Sequence, residues 1–124
     1  MVSEDLLRQL FVKKSLKNND AGFQMSLQNP LSDATISTPA KITIKGETIE
    51  KEKYKDFEIE MGGKRINNKN ITKTNPFNFT VKANATLYFK RDSPLPAEKY
   101  KITFELLSDE YGELKFSMKE KIRE

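Results

Sequence analysis

Two glutamates, Glu58 and Glu60, have a spacing that acid–base chemistry can use. Residues at i and i+2 of a β-strand lie ~6.6–7 Å apart on one face, and glycosidases use carboxylate pairs at similar separations. However, the apolar residues Phe57, Ile59 and Met61 alternate with these glutamates. This alternation directs the glutamates towards solvent. A carboxylate-based hydrolase or ligand-binding protein is therefore an alternative function, set against an ordinary solvated strand face.

A second acidic group surrounds a turn near the end of the sequence. Asp109, Glu110 and Glu113 flank Gly112. Their oxygens suit a hard cation, but calcium takes about six to eight oxygen ligands and the segment lacks the EF-hand pattern. A charged hairpin turn flanking Gly112 is the favoured interpretation of these residues. With no metal-binding or nucleotide-binding motif elsewhere, the sequence predicts no metal and no cofactor.

Four basic residues, Lys64, Arg65, Lys69 and Lys73, form a segment that contains no acidic residue. Such side chains neutralise phosphates, so this basic segment predicts contact with a phosphate-rich partner such as nucleic acid. It has no aromatic side chain on which a base can stack. The net charge of +4, from 22 basic and 18 acidic residues, is a modest overall field. Nucleic-acid binding through the basic segment is an alternative function, and a solvated loop is the competing interpretation.

The chain contains neither histidine nor cysteine. Histidine is the commonest general base, and cysteine supplies thiolate nucleophiles and zinc–thiolate sites, so these chemistries are excluded. The serine hydroxyls are left with lysine as an activating base. The sequence therefore predicts a protein that is not an enzyme.

Short β-strands are the predicted elements that position these side chains. Ser3, followed by two acids, predicts a short helical segment before them. An alternating run over residues 77–89 would span ~43 Å, too long for one strand, so a bend is expected near Asn84. The alternation predicts a core formed by Phe23, Met25, Leu27, Ile42, Ile44, Phe57, Ile59, Phe79, Val81, Leu87, Phe89, Tyr100, Ile102, Phe104, Leu114 and Phe116.

The segment LPAEKY at residues 95–100 resembles the tyrosine corner of immunoglobulin-like β-sandwiches. Pro96 fixes the backbone where the chain passes between sheets, and Tyr100 is expected to bury its ring and bond its hydroxyl to backbone upstream. Turn signals recur every 8–12 residues or so. Residues 1–124 are therefore predicted to form a single all-β domain. The predicted fold is an immunoglobulin-like antiparallel β-sandwich of about seven to nine strands with a short N-terminal helical segment.

Three stretches resemble a group of small, uncharacterised archaeal proteins with an immunoglobulin-like sandwich. They are GFQMSLQNPLSDATI at 22–36, the turn at Gly62 and Gly63, and LPAEKYKITFELLSDEYGELKFSMKEKI at 95–122. The resemblance spans most of the chain and implies the fold. Some proteins of this group carry a hydroxymethylglutaryl-CoA reductase label. We expect the sequence not to support that label, because the chain is short for that enzyme, lacks histidine and has no glycine-rich dinucleotide fingerprint.

The favoured function is a non-enzymatic interaction module that acts through loops or an exposed sheet edge, since sandwich edges accept added strands. The expected partner is a protein, with nucleic acid as the alternative. No stretch approaches the ~20 apolar residues of a membrane span, so no membrane partner is predicted. The polar N-terminal residues and the lack of cysteine favour the cytoplasm. The sequence indicates no oligomeric state.

Overall fold

A computed structural model describes residues 2–123 of the protein. The chain opens with helix α1, whose first turn is capped by the Ser3 hydroxyl accepting a hydrogen bond from the Leu6 amide at 3.2 Å. Strands follow wherever apolar and polar residues alternate, because successive side chains point to opposite faces of a sheet. The elements are α1 Glu4–Leu7, 3₁₀ turns at Arg8–Leu10 and Asn68–Asn70, and strands β1 Lys17–Asn19, β2 Gly22–Gln28, β3 Ala34–Ile36, β4 Lys41–Lys45, β5 Glu52–Tyr54, β6 Glu58–Met61, β7 Lys64–Asn67, β8 Phe77–Phe79, β9 Asn84–Lys90, β10 Lys99–Ser108 and β11 Gly112–Lys121.

The strands form two antiparallel sheets. The first sheet has the order β1-β2-β9-β6-β7. In the second sheet, β10 pairs with β11 on one side, and on its other side with β4 and then β3, which lie end to end. β5 and β8 pair with β4 and β3 at the far edge of this sheet. The inward side chains of both sheets belong to one hydrophobic core.

Aromatic side chains in the core join the two sheets. Phe23 of β2 and Phe89 of β9 stack with ring centroids 4.6 Å apart. Tyr54 of the second sheet packs edge-on against both rings, at 5.4 and 5.3 Å. Phe104 and Phe116 stack at 4.7 Å on neighbouring strands of the second sheet. Such pairs stabilise the fold beyond the apolar area that they bury.

The predicted fold class is confirmed: the chain is an all-β antiparallel sandwich with a short N-terminal helical segment. The described residues contain eleven strands, more than the expected seven to nine. The difference arises because β1, β3 and β5 have three residues each, which is too short for an alternation to be visible in the sequence, and because the run at 77–89 divides into β8 and β9. Within residues 2–123, the helices are too short and too polar to cross a bilayer.

The long alternating run at 77–89 divides between the two sheets. β8 ends at Phe79 in the second sheet, and β9 begins at Asn84 in the first. Between them, Lys82 adopts a left-handed backbone conformation with φ of 70°. Val81 lies on this turn and is 44% exposed, so the prediction that it belongs to the core is wrong. The remaining predicted core residues are buried.

Tyr100 is fully buried at the start of β10, and its hydroxyl donates a hydrogen bond to the Pro96 carbonyl oxygen at 2.6 Å. Burial raises the pKa of this phenol to about 12. Gly46, just after β4, lies directly against the ring. A Cβ atom at Gly46 would be 2.6 Å from Tyr100 Cε1 and 2.1 Å from Glu98 Oε2. The corner therefore fixes the ends of β4 and β10 against each other.

Candidate binding surface

The first half of the basic segment forms β7, an edge strand of the first sheet. β6 and β7 join through Gly62 and Gly63, whose φ angles of 61° and 80° are those of a tight hairpin turn. Arg65 is opposite Glu60 in this hairpin, and its Nη2 lies 3.7 Å from Glu60 Oε2. The Arg65 guanidinium also stacks over the Tyr88 ring, 4.2 Å from its centroid. The charge of Arg65 is thus satisfied within the fold.

The second half of the basic segment is anchored by a buried asparagine. Asn68 is fully buried and bonds to the Ala40 amide and to the carbonyl oxygens of Ala40 and Lys55. Next to it, Lys69 Nζ lies 3.1 Å from Asp56 Oδ2. Hydrogen bonds from Asn67 and Lys69 hold the pKa of Asp56 below its usual value. In the part of the chain that the structure describes, only Lys64 and Lys73 of the four predicted phosphate contacts have no carboxylate within 4.0 Å.

The carboxylates singled out in the sequence lie apart from one another. Glu58 and Glu60 are on the outer face of the first sheet, opposite Asn67 and Arg65. Glu110, beyond the end of β10, accepts hydrogen bonds from the Thr35 amide at 2.8 Å and the Thr35 hydroxyl at 2.7 Å. The bond from the Thr35 amide is the main reason that the pKa of Glu110 is lowered.

Asp109 has a different partner, since it accepts a hydrogen bond from the Ser37 hydroxyl at 2.9 Å. Like Glu110, it fastens the β10–β11 hairpin to the chain around β3. Among residues 2–123, no three acidic side chains come together as a cation site. The geometry of Asp109 and Glu110 is therefore that of structural hydrogen bonds.

A different set of charges gathers on the outer face of the second sheet. Even-numbered residues of β4, β10 and β11, such as Ile44, Phe104 and Phe116, point into the core. Odd-numbered residues of these strands and of β5 consequently point outwards. We call this surface the lysine face, and define it by Lys41, Lys45, Lys51, Lys53, Lys101, Lys115 and Lys119. Glu105 is the one acidic residue among the described residues that line the groove between these lysines, and the seven lysines with Glu105 give a local charge of +6 on a chain whose net charge is +4.

Strand register places lysines directly opposite one another on this face. Lys101 of β10 pairs with Lys45 of β4 on one side and with Lys119 of β11 on the other. The next outward pair of β10 and β11 is again lysine on lysine, Lys99 with Lys121. Cross-strand neighbours have Cβ atoms ~4.5–5.5 Å apart, and like charges at that separation destabilise a sheet. The face is therefore electrostatically unfavourable for the isolated fold.

All the lysines of the lysine face except Lys119 line a shallow groove of about 490 Å³. Its floor is a row of hydroxyls from Thr43, Thr103 and Ser117, of which the last two lie 2.8 Å apart. Glu105 lies 3.4 Å from Lys41 and 3.9 Å from Lys115, at one end of the groove. The other five lysines of the face have no carboxylate within 4.0 Å among the described residues. The groove therefore presents lysine ammonium groups around a row of hydroxyl groups.

The sheet edges offer less to a partner than this face does. β7 has four residues, and β5 and β8 have three each. The long edge strand β11 is covered at its middle by α1 and the turn that follows: Arg8 Nε donates to the Ser117 carbonyl oxygen at 2.8 Å, and the Ser117 amide donates to Glu4 Oε2 at 3.0 Å. The Arg8 and Glu4 side chains thus already bond to the Ser117 amide and carbonyl groups, with which an added strand would have to pair.

Sequence reasoning missed the lysine face. Its signal is a lysine or hydroxyl at every second position, as in KITIK at 41–45 and KFSMK at 115–119. Each strand alone shows one to three lysines, and the acidic residues Glu50 and Glu52, which alternate with Lys51 and Lys53, hide the excess. Only the register across four strands brings the lysines together.

By its fold and by this face, the protein is an all-β sandwich with a basic sheet surface. Comparison with known protein families assigns it to one of them. The family described as hydroxymethylglutaryl-CoA reductase, N-terminal domain, matches residues 6–123. The match covers nearly the whole sequence, so the chain belongs to this family. A search of curated proteins finds no match.

This membership corrects the sequence analysis. The expectation that the sequence gives no support to the hydroxymethylglutaryl-CoA reductase label is wrong, because the family assigned to residues 6–123 carries that name. The expectation rested on what a complete enzyme needs: length, a histidine and a dinucleotide fingerprint. The match is to an N-terminal domain, which those requirements do not describe.

Proposed function

We propose that this domain is a non-enzymatic binding module and that the lysine face binds an extended anionic partner. The observation that carries the proposal is the row of opposed lysines, Lys45, Lys101 and Lys119. Their mutual repulsion is unfavourable for the free protein. A partner that places negative charge on the row removes this repulsion, so complementary charge favours both encounter and binding.

The contrast with other surfaces supports the choice of this face. Arg65 and Lys69 of the basic segment have acidic partners within the fold, whereas the central row of the lysine face has none among the described residues. The edge of β11 is bonded to Arg8 and Glu4. The proposal therefore places the contact on a sheet face rather than on a loop or an edge.

The proposal gives the chain no step in the reaction of the reductase after which its family is named. Acidic proteins and nucleic acids both present the required negative charge. The cytoplasmic location expected from the sequence remains a prediction.

Two variants with the same change of charge test the proposal. One replaces the row, as Lys45→Gln, Lys101→Gln and Lys119→Gln together. The other replaces three lysines of the basic segment, as Lys64→Gln, Lys69→Gln and Lys73→Gln together. Binding of fluorescein-labelled heparin, a 25-base-pair duplex and poly-L-glutamate is measured by fluorescence anisotropy at about 50 mM salt, and folding is checked by circular dichroism.

We expect the row variant to lose at least ~10-fold in affinity for the anions that bind, while the basic-segment variant stays within about 3-fold of the wild type. Equal losses in the two variants would mean that net charge alone attracts the anions, and would overturn the assignment to the lysine face. A larger loss in the basic-segment variant would favour nucleic-acid binding through that segment. No binding of any of the three anions would refute the proposal.

A further inference from the structure

We infer that the anionic partner of the lysine face is double-stranded nucleic acid, held by its phosphates without reading of the base sequence. This inference rests on the proposed function, because it names the partner of the same surface. It goes further in choosing one class of macromolecule, and the side chains that line the groove carry the choice.

The composition of the groove disfavours a protein partner. Its lining consists of lysines, three hydroxyl residues and one glutamate. Protein–protein interfaces are depleted of lysine at their centres, and their energetic hot spots are rich in tryptophan, tyrosine and arginine. None of these anchoring residues lines this groove. Lysine ammonium groups and hydroxyls are, in contrast, common ligands of phosphate oxygens.

The same lining disfavours a single strand. Proteins that bind single-stranded nucleic acid stack its bases on aromatic side chains. No aromatic residue of the described chain lines the groove, and Tyr88, an aromatic of the outer face of the first sheet, is covered by Arg65. A duplex keeps its bases stacked internally and presents only phosphates and sugars along its sides. It therefore requires nothing that this face lacks.

The spacing of the lysines fits the two backbones of a duplex. Register puts Lys45, Lys101 and Lys119 in one row, and Lys41 and Lys115 in a second row on either side of Glu105. The rows are four residues apart along the strands, or ~13 Å. The major groove of B-form DNA is ~12 Å wide. The row of hydroxyls from Thr43, Thr103 and Ser117 lies midway between the lysine rows.

Among the described residues, the face lacks arginine, asparagine and glutamine, although its lysines and hydroxyls could also reach base edges. Arginine, asparagine and glutamine make the bidentate contacts that distinguish bases in the major groove. Binding is therefore expected to depend on salt and on duplex form, and to be indifferent to sequence.

The test uses the full chain with two unrelated 25-base-pair duplexes, one matching single strand and poly-L-glutamate, titrated at several KCl concentrations. Lys41 and Lys115 already share the charge of Glu105, so the salt dependence is counted on the five lysines without a carboxylate partner, which predict a slope of about −4 to −5 for log affinity against log salt concentration. Between 50 and 200 mM KCl this slope means a loss of affinity on the order of 500-fold. The two duplexes should agree within about 2-fold, and the single strand should bind less tightly than either.

The two triple variants then locate the contact. Replacing Lys45, Lys101 and Lys119 by glutamine should make the slope shallower by about 2.7, while the basic-segment variant should keep the wild-type slope. Poly-L-glutamate binding more tightly than duplex through the same three lysines would overturn this inference and leave the proposed function intact. Tighter binding of the single strand, or a strong preference for one duplex, would also overturn it. If none of the anions binds, both proposals fail together.

Discussion

The outer faces of the two sheets use charge in opposite ways. On the first sheet, Arg65 is 3.7 Å from Glu60 and stacks on Tyr88, so its charge is compensated inside the fold. On the second sheet, Lys101 has a lysine on each side. Charge on the first face stabilises the folded chain, whereas charge on the second is available to a partner outside it.

The comparison shows that the number of charges on a surface says little about its role. Both faces arise from the same alternation of inward apolar and outward polar residues. What differs is the strand that each outward residue meets: β6 and β7 bring Glu60 and Arg65 together, while β4, β10 and β11 bring three lysines together in the row of Lys45, Lys101 and Lys119. The arrangement across strands therefore distinguishes a stabilising face from a binding face.

The largest expected effect comes from breaking the best-paired charge in the molecule. Arg91 follows β9 of the first sheet, and its Nε and Nη2 donate to the two carboxylate oxygens of Glu52 of β5, at 3.1 and 3.0 Å. It also donates to the carbonyl oxygens of Ser93 and Pro94. The two charged side chains are 17% and 30% exposed, so water screens them only in part.

Arg91→Ala should therefore lower the free energy of unfolding by about 1.5–3 kcal/mol, because it leaves the half-buried Glu52 carboxylate without its cationic partner and with only the Tyr54 hydroxyl as a hydrogen-bond donor. Urea denaturation measures the loss. Arg91→Lys is the control, since it keeps the charge but loses the two-point contact, and it should recover only part of the stability. A loss below about 0.5 kcal/mol in Arg91→Ala would show that pairing contributes little to this fold.

The same pair predicts how stability depends on pH. The hydrogen bond from Arg91 is the main reason that the pKa of Glu52 is lower than its ordinary value of 4.5. Such a group contributes stability above its unfolded-state pKa, and the contribution is lost as pH falls through the lower folded-state pKa. The melting temperature should fall as pH decreases below about 4.5, and less steeply in Glu52→Gln. Parallel curves for the two proteins would contradict the assignment.

A smaller effect on stability is expected from the tyrosine corner, which anchors the inward face of β10. Tyr100 points inwards next to the outward Lys101, and its hydroxyl bonds to the Pro96 carbonyl oxygen. Tyr100→Phe should lower the free energy of unfolding by about 0.5–1.5 kcal/mol, the net value of one hydrogen bond. Phe116→Leu removes inward bulk without touching that bond, and serves to distinguish loss of packing from loss of the corner. An unchanged melting temperature in Tyr100→Phe would mean that the corner adds nothing to the fold.

The inward half of this architecture could be predicted from the sequence. Alternation identified Ile42, Ile44, Phe104 and Phe116 as core, since burial of apolar side chains is a local property of a strand. The prediction that Val81 belongs to the core failed because a turn with a residue in the left-handed conformation interrupts the alternation there. The point at which the chain passes from one sheet to the other depends on tertiary packing, and the alternation of apolar and polar residues carries no information about it.

The outward half could not be predicted in the same way. Lys45, Lys101 and Lys119 are far apart in the sequence and become neighbours only through the register of three strands. The basic segment was visible because its residues are contiguous, yet contiguity says nothing about Glu60 and Asp56, which come from preceding segments and pair with it. A patch built across strands is invisible to reasoning along the chain.

The smallest effect gives the most direct test of the comparison, because it predicts opposite signs. Glu60→Gln removes the partner of Arg65, whose exposed ion pair is worth about 0.2–1 kcal/mol, and should lower stability by that amount. Lys101→Gln removes two like-charge contacts and should raise stability by a similar amount, about 0.2–1 kcal/mol.

Both changes replace one charged side chain by glutamine on a solvent-facing strand position, so each serves as the control for the other. Urea denaturation at about 20 mM salt should show the two free energies moving in opposite directions from that of the wild type. At 1 M salt the Debye length is ~3 Å, so exposed charges are strongly screened and both differences in free energy should shrink towards zero. If Lys101→Gln instead destabilises the protein as Glu60→Gln does, Lys101 has a favourable role within the fold. The lysine face would then be compensated like the first, and the physical reason for assigning it a partner would be lost.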